Sequence, residues 1–204
     1  MQYPIIIQGG MGVAVSNWRL ARAVSRLGEL GVVSGTALAM ILARRLQAGD
    51  AGGDMRRALA HFPLPGVAER VVADHYLPGG KEPGAPFALG PMPVLNAGPA
   101  LTELTIAANF VEVFLAKTGH DGIVGINLLE KIQFPTLPSL YGAMLAGVDY
   151  VLMGAGVPRA IPGAIDGLAA GGAGEMKVDV EGALPVDNFV SRFDPQTLWD
   201  GTAP

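Results

Sequence analysis

The sequence predicts an α/β chain built on parallel strands, and three observations carry that reading. Short apolar runs closed by turn residues recur along it, as buried parallel strands do. Stretches with apolar residues three and four apart lie between them. The starts of successive runs are separated by about 27, 91, 27 and 26 residues, and one βα unit takes roughly 25 to 30.

Pro4-Ile5-Ile6-Ile7-Gln8, closed by Gly9-Gly10, reads as the first strand. Ser16 is the expected N-cap of a helix running through Leu27, with Trp18, Ala21 and Val24 on one side and Gly28 at its end. Residues 31–35 form the second strand, and Thr36 is placed to cap a helix over 37–47. The long interval holds an insertion at about 50–95, with helix signals at 54–62 and 66–76. Residues 78–93 then carry five prolines and four glycines in sixteen positions, which predicts a loop. In the helix expected at 100–118, Leu101, Leu104, Ala108, Val111 and Leu115 recur at helical spacing, and Gly119 stops it. Strands at 122–127, 149–153 and 175–180 bring the parallel count to five. One domain therefore spans 1–187, followed by a tail, 188–204, expected to be irregular. Five parallel strands suit an open doubly wound sheet or the first part of an eight-stranded (β/α) barrel.

Composition excludes several classes. Half of the 204 residues are hydrophobic, so there is enough apolar surface to offset ordering entropy, and a disordered chain is excluded. With no cysteine, disulfides, thiol nucleophiles and thiolate metal sites are excluded, and a reducing, cytoplasmic setting is expected. The N-terminal residues lack the basic start and long apolar stretch of an export signal, and no membrane segment is expected. Formal charge is +3 over 1–102 and −7 over 103–204, without a basic stripe for phosphates, so nucleic acid is not an expected partner.

Chemistry is expected where the strands end, since both candidate architectures bind ligands there. Gly9, Gly10, Met11 and Gly12 follow the first strand. Their glycines let backbone approach a ligand, and Met11 adds a polarizable contact for a flat ring. The loop lacks the third glycine of a dinucleotide fingerprint. Ser34-Gly35-Thr36 ends the second strand, Asn127 the third and Met153-Gly154-Ala155-Gly156 the fourth. An amide such as Asn127 can both donate to and accept from a planar heterocycle. Lys131 and Gln133 follow on the same loop, within reach of an anion. His61, His75 and His120 have no second histidine at metal-ligand spacing and are read as structural, with no metal site.

Four ordered blocks carry a family likeness: 4–12 (PIIIQGGMG), 30–38 (LGVVSGTAL), 122–133 (GIVGINLLEKIQ) and 148–158 (VDYVLMGAGVP). Together, over roughly residues 3–185, they resemble the nitronate monooxygenase family, formerly 2-nitropropane dioxygenases. The resemblance implies an FMN-containing partial TIM (β/α) barrel that oxidises alkyl nitronates, or a related carbon acid, with oxygen. Flavin-dependent enoyl reductases are relatives of that family. By the same resemblance the 9–12 loop lies along the flavin ring, Asn127 bonds the ring edge and Thr36 is a further flavin contact. Family members continue into a half with a Gly-Gly-His segment bearing the general base. Nothing after Asp187 matches it, so no catalytic residue is assigned. The chain is accordingly expected to be the amino-terminal portion of a longer enzyme, or a non-catalytic assembly subunit completed by a second copy or another chain.

Overall fold

The computed structural model describes residues 3–95, 97–184 and 186–199. A mixed α/β fold is present, and its centre is a parallel three-stranded sheet. Strands β1 (Gly31–Ser34), β2 (Val124–Leu129) and β3 (Tyr150–Gly154) lie side by side in chain order. Seven helices accompany it: α1 (Trp18–Ser25), α2 (Leu38–Gln47), α3 (Asp54–Leu59), α4 (Pro65–His75), α5 (Pro99–Lys117), α6 (Thr136–Leu145) and α7 (Ile161–Ala169), among the described residues. Strand order follows chain order, so crossovers of one hand bring the connecting helices to one face. That face supplies Val33, Val124, Ile126 and Leu128 to the core. The other face, Val32, Ser34, Gly125 and Asn127, looks away from the helices.

Helix α5 is the keel of the fold. It packs against α1, α2 and α6, and Leu104, Ile106, Val111, Val113 and Leu115 are buried along it. Its length and composition would suit a membrane crossing, yet 72% of that apolar window is buried within the protein. Close packing explains two glycines. A Cβ on Gly31 would run into the Ala21 carbonyl of α1, and one on Gly142 into the Ile106 carbonyl of α5. Glu112, 2% exposed on α5, accepts from the Trp18 backbone N–H at 2.8 Å and from Arg45. A long-range carboxylate thereby satisfies a free N–H in the first turn of α1.

The expected five parallel strands are not what forms. Residues 4–8 make one bridge, Ile7 to Leu30, rather than a strand. The backbone N–H groups of Ile5 and Ile6 turn instead to the Glu29 carboxylate, at 3.0 and 2.7 Å. Gln8 Oε1 accepts from Val32 N at 3.0 Å, so a side-chain amide pairs the edge of β1 as the chain swings away at Gly9-Gly10. The strand expected at 175–180 is β4 (Gly174–Lys177), and it pairs antiparallel with β5 (Val190–Phe193), outside the parallel sheet.

The tail is correspondingly ordered up to residue 199; residues 200–204 of it lie outside the described residues. After β5, Asp194 caps a single 3-10 turn (Pro195–Leu198), and Trp199 Nε1 donates to Tyr141 Oη at 2.9 Å. Two caps also differ from expectation. Asn17, not Ser16, caps α1, accepting from Arg19 N and Leu20 N. Thr36 does not cap α2, which begins after Ala37 in a left-handed conformation with no side-chain cap.

Candidate functional site

Ser16 is free of capping because it holds the glycine loop: its Oγ donates to the Gly9 carbonyl at 3.0 Å, and the Ser16 carbonyl accepts from Ser34 N at 2.8 Å. The 9–12 loop is thus tied to the start of α1 and the end of β1. It lies on the sheet face opposite the helices. A Cβ added at Gly10 would stand 2.5 Å from Val32 Cγ1, 2.9 Å from the Val33 carbonyl and 3.0 Å from Asn127 Cβ. Only a residue without a side chain lets the loop sit that close. Gly9, by contrast, has nothing within 4 Å of its Cβ direction, so that side of the residue faces open space.

Next along the loop, the Met11 thioether lies over Gly154, 3.4 to 3.5 Å from where a Cβ would be. Met11 is itself 55% exposed, so it covers Gly154 from the solvent side. Three strand ends and the loop therefore converge: Ser34 and Asn127 are partners in the β1–β2 register, and Gly154 ends β3.

The polar groups of this face are largely uncommitted. Asn127 is buried, and its Nδ2 donates to the Leu128 carbonyl at 2.8 Å, while Oδ1 makes no hydrogen bond. Ser34 Oγ is buried without a partner. A buried polar atom left unpaired costs free energy that a correctly placed ligand atom recovers.

The other expected ligand contacts fall elsewhere. Thr36 lines a cavity of about 350 Å³ on the helix side, between α2, α5 and α6; none of Gly9, Gly10, Met11, Gly12 or Asn127 lines it. Gln133 is spent on the backbone of Asp179, accepting from its N–H at 2.9 Å and donating to its carbonyl. Among the histidines, His120 uses both ring nitrogens, on Ala116 O and Gly122 N, before β2 and at the end of the sheet away from Asn127. His61 stacks on Phe114. Burial pushes the His75 pKa below its ordinary value, with Asp74 opposing. No cluster of metal-ligating side chains occurs among the described residues.

Sequence reasoning passed over a polar stripe on α5. Thr105, Asn109 and Glu112 are all buried, at spacings of four and three on a helix otherwise apolar over its buried surface. That spacing was the available signal, since buried polar groups at helical period face partners or ligands rather than solvent. No family model, curated protein or solved structure matches this chain.

Proposed function

We propose that this chain is the flavin-holding part of an FMN-dependent oxidoreductase of the nitronate monooxygenase type, a partial (β/α) barrel acting on an alkyl nitronate or related carbon acid. One observation carries the reading: the 9–12 loop meets Asn127 and Gly154 on one face of a parallel sheet, at the carboxyl ends of its strands. Strand order without reversal, and helices on one face only, support barrel-type winding over a doubly wound sheet.

The residues present fit a flat ring. Gly9 has open space in its Cβ direction, Met11, lying over Gly154, offers a polarizable face, and the free Asn127 Oδ1 can accept from a ring N–H. Thr36 lies apart from these residues, in the lining of the helix-side cavity, and is not part of this arrangement. FMN, when bound, supplies the redox chemistry. The chain's own contribution is to orient the ring: the loop excludes water from one face and Asn127 fixes the edge. The Glu130 carboxylate packs against Gly156 just beyond β3, and no general base is assigned in this reading. The absence of cysteine supports a cytoplasmic setting.

A second reading, an assembly subunit completed by another copy or chain, is favoured by a different observation. Ile5, Ile6, Ile7, Val13 and Val15 are 40 to 87% exposed around the loop, and among the described residues β3 pairs on one side only. The test is titration of the full chain with FMN followed by oxygen uptake with an alkyl nitronate. Saturable quenching of flavin fluorescence, weakened about tenfold or more in a folded Asn127→Ala variant, supports flavin binding. Folded protein with no saturable FMN binding removes that reading and leaves the assembly subunit.

A further inference from the structure

The helix side of the sheet carries a cavity that the flavin reading does not use. Under the strap formed by residues 88–93, α2, the first half of α5 and the start of α6 enclose the cavity of about 350 Å³, within the size range of small-molecule pockets. Leu101, Leu104, Leu128 and Met40 give it apolar walls. Asn109 also lines it and is 1% exposed. Its Nδ2 donates to the Thr105 carbonyl at 2.8 Å, whereas Oδ1 is buried with no partner. The amide cannot turn round to relieve this, because Oδ1 would then face the Thr105 carbonyl. Two of the lining hydroxyls are committed elsewhere: Thr105 Oγ1 donates to Leu101 O and Thr136 Oγ1 to Ile132 O.

We propose that this cavity binds a neutral, mainly apolar molecule whose single hydroxyl or N–H group donates to Asn109 Oδ1. At about 30 Å³ per water-sized unit the space takes on the order of a dozen non-hydrogen atoms. A carboxylate is disfavoured at depth because Asn109 presents an acceptor. A buried ammonium with one partner bears too large a desolvation cost. Exposed Arg44 at the rim is the one charged lining residue, and an anion held there leaves Asn109 unpaired.

The test is isothermal titration of the full chain with 4-pentylphenol, its methyl ether 4-pentylanisole, and 4-pentylbenzoate. The phenol is expected to bind one to one and about tenfold tighter than the ether, the worth of one buried hydrogen bond. In Asn109→Leu the phenol and ether should bind within about twofold of each other. Met40→Trp, at a position 43% exposed and tolerant of bulk, should fill the cavity and abolish both. The wild-type comparison stands without any variant. Equal affinity for phenol and ether, no binding of any probe, or tightest binding by the benzoate with loss in Arg44→Gln each overturns the proposal.

Discussion

Adjacent glycines give a sharp prediction about the loop on which the flavin reading rests. Gly10→Ala and Gly9→Ala add the same methyl group one residue apart. At Gly9 the methyl meets nothing within 4 Å, and neither glycine has a positive φ. Gly9→Ala should therefore be neutral, or stabilise by up to about 1 kcal/mol through the unfolded chain. At Gly10 the methyl meets Val32 Cγ1 at 2.5 Å, where contact distances run from about 3.5 Å, so loop and strand must part by about 1 Å. The Val33 carbonyl at 2.9 Å is backbone and cannot rotate away. Overpacking of this kind costs about 1–3 kcal/mol, or roughly 2–12 °C in Tm for a chain of this size. Thermal unfolding by circular dichroism, with limited proteolysis across residues 5–15, measures both variants. If Gly10→Ala matches Gly9→Ala in Tm and protease resistance, the loop is not seated on the sheet.

Further predictions concern the supports. Glu112→Ala removes the partner of Arg45 and of the Trp18 N–H, and should cost about 3 kcal/mol in urea unfolding, with early fraying of α1 in hydrogen exchange. Tyr141→Phe deletes the acceptor of Trp199 and should cost about 1 kcal/mol, with Trp199 emission shifted to the red as the tail loosens. Burial raises the Tyr141 pKa, partly offset by the Trp199 hydrogen bond, so the unfolded chain ionises first. The stability of the wild type is therefore unaffected by this group below about pH 10 and falls as pH rises above it, whereas Tyr141→Phe loses that component of the slope. At His75 the lowered pKa means that the unfolded chain takes the proton first as pH falls below about 6.5. Stability drops from there downward, and His75→Gln should flatten the urea-midpoint profile over that window.

Local signals were legible where one short segment decides the outcome. The spacing of Leu101, Leu104, Val111 and Leu115 located α5 to within a residue at each end, and the apolar runs located β1, β2 and β3. Continuous burial along β1 and β2 is the mark of a parallel interior. Residues 174–177 instead alternate, with Glu175 and Lys177 exposed and Met176 buried, the mark of a strand solvated on one face. That alternation was readable, but its partner Val190–Phe193 was not, since four residues gain strand character only from pairing across the chain. The first strand failed for a related reason. Three isoleucines favour a strand, yet the Glu29 carboxylate competes for their N–H groups and two glycines turn the chain away. At the candidate site, Gly10, Met11 and Asn127 were readable from strand-end chemistry. The Asn109 acceptor was hidden because helical periodicity draws the eye to apolar positions.

The 9–12 loop crosses the face of the sheet away from the helices, and the proposed flavin seat rests on that crossing. Methyl-labelled methionine spectra of the full chain, with Met11 assigned by Met11→Leu, test it directly. A cross-peak between the Met11 methyl and the Gly154 α-protons is expected in the free chain, with a ring-current shift of that methyl when FMN is added. A Met11 methyl with no contact to Gly154 and no response to saturating FMN would contradict it.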